Sequence, residues 1–143
     1  MSSQGLESID HSVHLTHEWI NELVGRLDWS SHRSAWRLMR VVMTRIRDHL
    51  PTNETAQLSA QLPMLIRGSY FEGWMPKVTP IKERSAASFI GAIDAQMGDA
   101  SEYRGADDII CVFDLLNNRI TRGEVLDIQA CLPEDIRALW PQP

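Results

Sequence analysis

The sequence predicts an all-α protein: two pseudo-symmetric helical repeats of about four helices each, packed into one compact bundle. Three observations carry this expectation. The pattern Leu-Pro-x-x-Ile-Arg occurs twice, at Leu62–Arg67 and at Leu132–Arg137, an offset of 70 residues. At that offset apolar residues fall on apolar residues: Trp19 on Phe89, Leu23 on Ile93, Leu27 on Met97, Val42 on Val112, Ile46 on Leu116, Leu50 on Ile120 and Tyr70 on Trp140. No stretch sustains the every-second-residue alternation that a half-buried strand requires.

Each element follows from its own pattern. Residues 1–13 are polar and read as a frayed N-terminus, ahead of a first repeat over 14–70. From Leu15 to Leu27, Trp19, Ile20, Leu23 and Leu27 form one stripe at helical spacing. From Ser31 to Leu50, Ala35, Leu38, Met39, Val42, Met43, Ile46 and Leu50 make the longest stripe and predict the central helix of the repeat. A short helix over Asn53–Leu62 follows. Pro63 then suits the first turn of a fourth helix, where its missing N–H loses no bond, and Gly68 is a natural stop. Residues 71–80 hold Phe71, Trp74, Pro76 and Pro80 and read as an ordered linker. The second repeat spans 81–141, with helices over Ile81–Met97, Ala106–Ile120 and Arg122–Leu132, and Pro133 opening the last. Thr121 and Glu124 have the spacing of a capping box, in which Glu124 reaches back to the Thr121 N–H.

The 143 residues suit one domain with its own core. A net charge of −5 argues against a general nucleic-acid binder. No apolar run approaches a membrane span, and the first residues lack the basic-then-apolar pattern of a secretory signal. Two cysteines, Cys111 and Cys131, make no disulfide framework, which points to a cytoplasmic setting.

Chemistry-bearing patterns are sparse. His11, His14 and His17 recur every third residue, but no distant ligand completes a metal set. Arg33, Arg37, Arg40 and Arg47 share a face of the second helix and read as its water-facing side. Neither cysteine has a neighbouring histidine to activate it. Glu54/Glu124 and Arg67/Arg137 are charged residues kept at the offset of 70, and read as a helix cap and a structural ion pair. Phosphate-binding loops, nucleophile elbows and zinc-helix motifs are absent. No catalytic residue, cofactor site or metal site is therefore expected.

The stretch Ala60-Gln61-Leu62-Pro63, continued by Arg67-Gly68-Ser69-Tyr70-Phe71-Glu72-Gly73-Trp74, resembles the signature of the bacterial domain-of-unknown-function family 2267. The Leu50-Pro51-Thr52-Asn53-Glu54 turn and the closing block Leu132 to Pro141 match as well, so the resemblance runs from about residue 14 to residue 141. It implies a small, soluble, all-helical bacterial protein and brings no reaction, cofactor or catalytic residue with it.

Two functional expectations follow. The first is a non-enzymatic protein-interaction or regulatory module whose surface is Arg67, Tyr70, Phe71, Glu72 and Trp74, since aromatics beside arginine favour interfaces. Its partner is an unidentified protein, and homo-oligomerisation is left open. The alternative is a small-molecule binder or enzyme with a pocket between the two repeats.

Overall fold

The computed structural model describes residues 6–143, and these form helices and turns with no strand among them. The helices are α1 (Glu7–Leu27), α2 (His32–Asp48), α3 (Thr52–Ser59), α4 (Met64–Phe71), α5 (Ala86–Met97), α6 (Ala106–Arg119), α7 (Arg122–Cys131) and α8 (Glu134–Arg137). A single 3-10 turn, Pro76–Val78, lies in the connection from α4 to α5. The fold is all-α, as the apolar periodicity predicts.

One core runs through the molecule. Leu23, Leu27, Leu38, Met39, Val42 and Ile46 from the first half meet Phe89, Ile93, Ile109, Val112, Phe113 and Leu116 from the second, all fully buried. Each such side chain removed from water is worth roughly 1.5–3 kcal/mol. Helix pairing crosses between the halves: α1 packs on α6, α2 on α5, α2 on α6, and α3 on α7. Phe113 stacks face to face with Trp140, ring centres 4.4 Å apart, and the indole N–H of Trp140 donates to Asn117 Oδ1 at 2.7 Å.

Short-range chemistry sets the helix ends. The Ser31 hydroxyl accepts from the Ser34 N–H, that of Ser85 from Ser88, and that of Thr121 from Glu124. Each satisfies a donor that the first turn leaves without an intrahelical partner. Pro63 and Pro133 stand immediately before α4 and α8 with near-identical extended backbone angles. Arg67 donates to the Ser59 and Leu62 carbonyls at 2.8 and 2.9 Å, and Arg137 to the Leu132 carbonyl at 2.8 Å. These arginines tie down the turns before α4 and α8; the expected ion pair is replaced by carbonyl capping.

Four further expectations are corrected. Helix α1 starts at Glu7, inside the stretch expected to fray, while residues 1–5 lie outside the described residues. Glu7 and Asp10 favour the start through the helix dipole, and the Thr16 hydroxyl turns inward to the Ser12 carbonyl at 2.8 Å, so polar composition does not prevent the helix. Helix α4 continues through Gly68 to Phe71, because Ile66 and Tyr70 anchor its buried face. Gly73, with φ +75°, makes the left-handed turn beyond it. Helix α5 starts at Ala86, five residues after its expected start at Ile81. The Ile81 N–H is already spent on the Asp48 carbonyl at 2.8 Å, and Ser85 supplies the cap. Finally, the Thr121 N–H donates to Gln61 Oε1 at 2.7 Å, so the Glu124 side chain does not close the capping box.

Candidate functional site

The aromatic block from Arg67 to Trp74 is largely spoken for by the fold. Tyr70, placed on the inner face of α4, is buried, and its hydroxyl donates to the Thr55 carbonyl at 3.3 Å. Burial pushes its phenol well above the ordinary range. Phe71 and Trp74 are half-buried and continue the row, with ring centres 5.2 Å (Tyr70 to Phe71) and 5.5 Å (Phe71 to Trp74) apart. Arg67 is exposed but engaged as a cap, and Glu72 is exposed. Tyr70 therefore leaves the expected surface: the same apolar periodicity that marks α4 turns it inward. The exposed apolar residues here are Met64, Leu65, Met75 and Val78, which flank the block.

A cleft of about 640 Å³ opens elsewhere, between the end of α2, the 80–84 segment and the α7–α8 turn. Its apolar lining is Pro51, Pro80, Ile81, Leu132 and Pro133, with Arg84, Glu134 and Arg137 around it. At its edge a buried array joins three elements. Glu83 Oε1 accepts from Arg45 Nε at 3.0 Å and bonds His49 Nε2 at 3.0 Å, while its second oxygen accepts from the Ser88 hydroxyl at 2.7 Å and from the far end of Arg45. Burial pushes the Glu83 carboxyl up, but the bonds from Arg45, Ser88 and His49 outweigh it and hold it at about 2. Burial holds His49 below the usual imidazole range against the pull of Glu83. The His49 side chain is only 1% exposed, so this array shapes the cleft wall more than it meets anything inside. Arg84, in contrast, has no hydrogen-bond or ion-pair partner among the described residues.

The second buried cluster joins α3 to α7. Glu54 and Glu124, related by the offset of 70, face each other with 7% and 6% exposure, and each keeps one carboxyl oxygen out of water without a partner. With Asp127 they bring carboxylate oxygens within 4.8 Å of one another. Unit charges that close repel by roughly 3–4 kcal/mol at an effective dielectric of about 20. The first turn of each helix offers an anion only about 0.3–1 kcal/mol in return. Burial, the Glu54 side chain and Asp127 accordingly drive the Glu124 carboxyl far above its ordinary range. Three carboxylates are the donor type that a hard cation uses, though a calcium ion takes six or more oxygens.

The remaining candidates resolve as structure. His11, His14 and His17 are exposed, and His14 pairs with Glu18 at 3.1 Å. Arg37 bonds Asp99 at 2.7 Å and the Gln96 carbonyl, and Arg40 lies over the Trp36 ring at 5.4 Å. Arg47 departs from the expected water-facing stripe. It is buried and donates to the Tyr70 and Glu72 carbonyls at 2.7 and 3.0 Å, locking α2 to the end of α4. Burial first, and acidic neighbours second, push both Cys111 and Cys131 above the ordinary thiol range, away from nucleophilic reactivity.

No helix among the described residues is long and apolar enough to cross a membrane. The chain matches no curated protein. A family model described as "Uncharacterized conserved protein (DUF2267)" covers residues 16–139. The helical plan, the doubled Leu-Pro-x-x-Ile-Arg block and this match agree over nearly the full length: the chain belongs to the DUF2267 family.

Proposed function

We propose that the protein is a small-molecule binding module whose site is the cleft between α2, the 80–84 segment and the α7–α8 turn. The carrying observation is the unpartnered guanidinium of Arg84 at an apolar-lined cavity of about 640 Å³. A cleft of this size suits a small ligand. Arg84 offers a planar donor fork matched to a carboxylate, and Arg137, whose Nη2 is held by the Leu132 carbonyl, adds its positive charge beside it. The apolar wall of Pro51, Ile81 and Leu132 suits a hydrocarbon or ring body. Glu83 is neutralised by Arg45, and of the remaining lining charges the two arginines, Arg84 and Arg137, outweigh the one carboxylate of Glu134. The ligand class is therefore a small monocarboxylate with an apolar body. Binding without catalysis is the better reading, since His49 is buried and Cys131 is held as the thiol.

Calorimetric titration with aromatic and short-chain carboxylates, paired with their neutral amides, tests this. The carboxylates bind and the amides do not, and Arg84→Ala weakens binding about tenfold, the worth of one charge-assisted bond. Equal heats for acids and amides, or an unchanged affinity in Arg84→Ala, would remove the proposal.

A second reading is favoured by exposed Met64, Leu65, Met75 and Val78, between 46% and 61% accessible. This apolar surface beside the Arg67–Trp74 block is suited to a protein contact, with a second copy of the chain as its occupant. Sedimentation of the parent against Met64→Glu/Met75→Glu distinguishes it: a dimer lost in the variant supports the contact, and a monomer in both counts against it.

A further inference from the structure

We propose that Glu54 and Glu124 form a proton-held clasp across the α3–α7 seam, closed when the pair shares a proton and loosened when both carboxyls ionise. The clasp concerns the wall of the cleft and stands whether or not a carboxylate binds there. Its geometry comes first. The two side chains meet from helices of opposite halves, both more than nine-tenths buried, with sequestered oxygens that no donor satisfies. Two ionised carboxylates do not persist in such contact without a counter-charge; a shared proton supplies the missing hydrogen bond. The titratable groups around the pair are Asp127 and Cys131 on α7 and Tyr70 on α4, all of them acids. The arginines of the neighbouring elements are committed elsewhere: Arg47 to the Tyr70 and Glu72 carbonyls and to Asp48, and Arg67 to the Ser59 and Leu62 carbonyls.

The seam is not uniform along its length. At one end Gln61 and Thr121 clamp it twice: the Thr121 N–H donates to Gln61 Oε1 at 2.7 Å, and Gln61 Nε2 donates to the Thr121 hydroxyl at 3.0 Å. The positions 70 residues from these are Cys131 and Pro51, and both line the cleft. Neither proline nor thiol can reproduce the amide clamp. Ionisation of the pair therefore loosens the seam at its cleft end, pivoting on Gln61 and Thr121, and couples proton release to the width of the cleft.

The sign follows from linkage. Glu124 is raised from 4.5 to about 8 in the folded chain, so the fold holds a proton that the unfolded chain releases. Its stabilisation is complete below pH 4.5 and is lost as pH rises through about 8.

Backbone hydrogen exchange of the full chain without ligand, corrected for intrinsic rates, from about pH 5 to about pH 9, tests the clasp. Protection of α3 and α7 drops about tenfold across this range while that of α2 and α6 holds. Glu124→Gln, which mimics the protonated group, keeps protection at the upper pH, and Glu54→Gln does the same. Identical pH profiles for the parent and both variants would overturn the proposal. So would loss of α3 protection at every pH in both variants, which would make the carboxyls simple packing groups. Recovery of protection at the upper pH by Mn²⁺, in the parent but in neither variant, would also overturn it by making the pair a cation site.

Discussion

Glu83 shows how much one carboxylate can organise when its partners arrive from distant positions. It joins Arg45 and His49, 38 and 34 residues away, to Ser88 at the start of α5. Its carboxyl lies at about 2 against an ordinary 4.5, so its stabilisation is complete above pH 4.5 and is lost as pH falls towards 2. His49 adds to the acid limb: burial holds its imidazole below the ordinary range, so as pH drops below 6.5 the unfolded chain takes up a proton that the folded one resists. Glu83→Gln is expected to lower stability at neutral pH by about 3 kcal/mol, as it leaves Arg45 without its anion. It should also flatten the fall of the melting temperature below pH 4.5. Chemical denaturation and pH-resolved melting check both; an unaltered acid limb would mean that Glu83 is not the group titrating. Nothing in the sequence marks Glu83, since its neighbours exist only in the folded chain. Glu54 and Glu124 stand out by the offset of 70, but a repeat shows that two positions are alike and says nothing of whether they touch.

At the scale of elements, the stripes of α1, α2, α5 and α6 are readable because a buried helix face repeats with the helical period. Every apolar pair at the offset of 70 named for these helices is buried in both halves. The ends are harder to read. Gly68 passes unbroken inside α4 because tertiary packing of Ile66 and Tyr70 outweighs about 1 kcal/mol of glycine cost. The delayed start of α5 depends on the Ile81–Asp48 bond, which spans the two halves. The block Tyr70 to Trp74 illustrates the same limit: its aromatic density is visible in the sequence, while its inward direction is set by which face of α4 the core claims. Trp74→Ala should accordingly cost about 2 kcal/mol, less than a fully buried tryptophan, because the ring is half-buried against Phe71. Denaturant unfolding measures it, and carboxylate binding in the cleft should be unchanged. A variant as stable as the parent would return Trp74 to the role of a surface residue.

For the whole molecule, the crossed pairings α1 on α6, α2 on α5, α2 on α6 and α3 on α7 join the packing of α1, α2 and α4 to the second half in one continuous core. The seams between the two halves of the chain are the places where polar groups collect. The cleft beside His49 and the carboxyl pair of α3 and α7 both lie on such seams. The all-helical class and the family are legible in periodicity and in one distinctive block. The cleft is not, because it is made of helix ends and a connection whose positions only the assembled halves define. The most direct measurement is an amide chemical-shift titration of the full chain with a small aromatic carboxylate. Perturbations confined to His49, Ile81–Arg84 and the turn from Ala130 to Arg137, growing to saturation, are the expected result. Shifts centred instead on Met64, Leu65, Met75 and Val78, or none at any position, would contradict it.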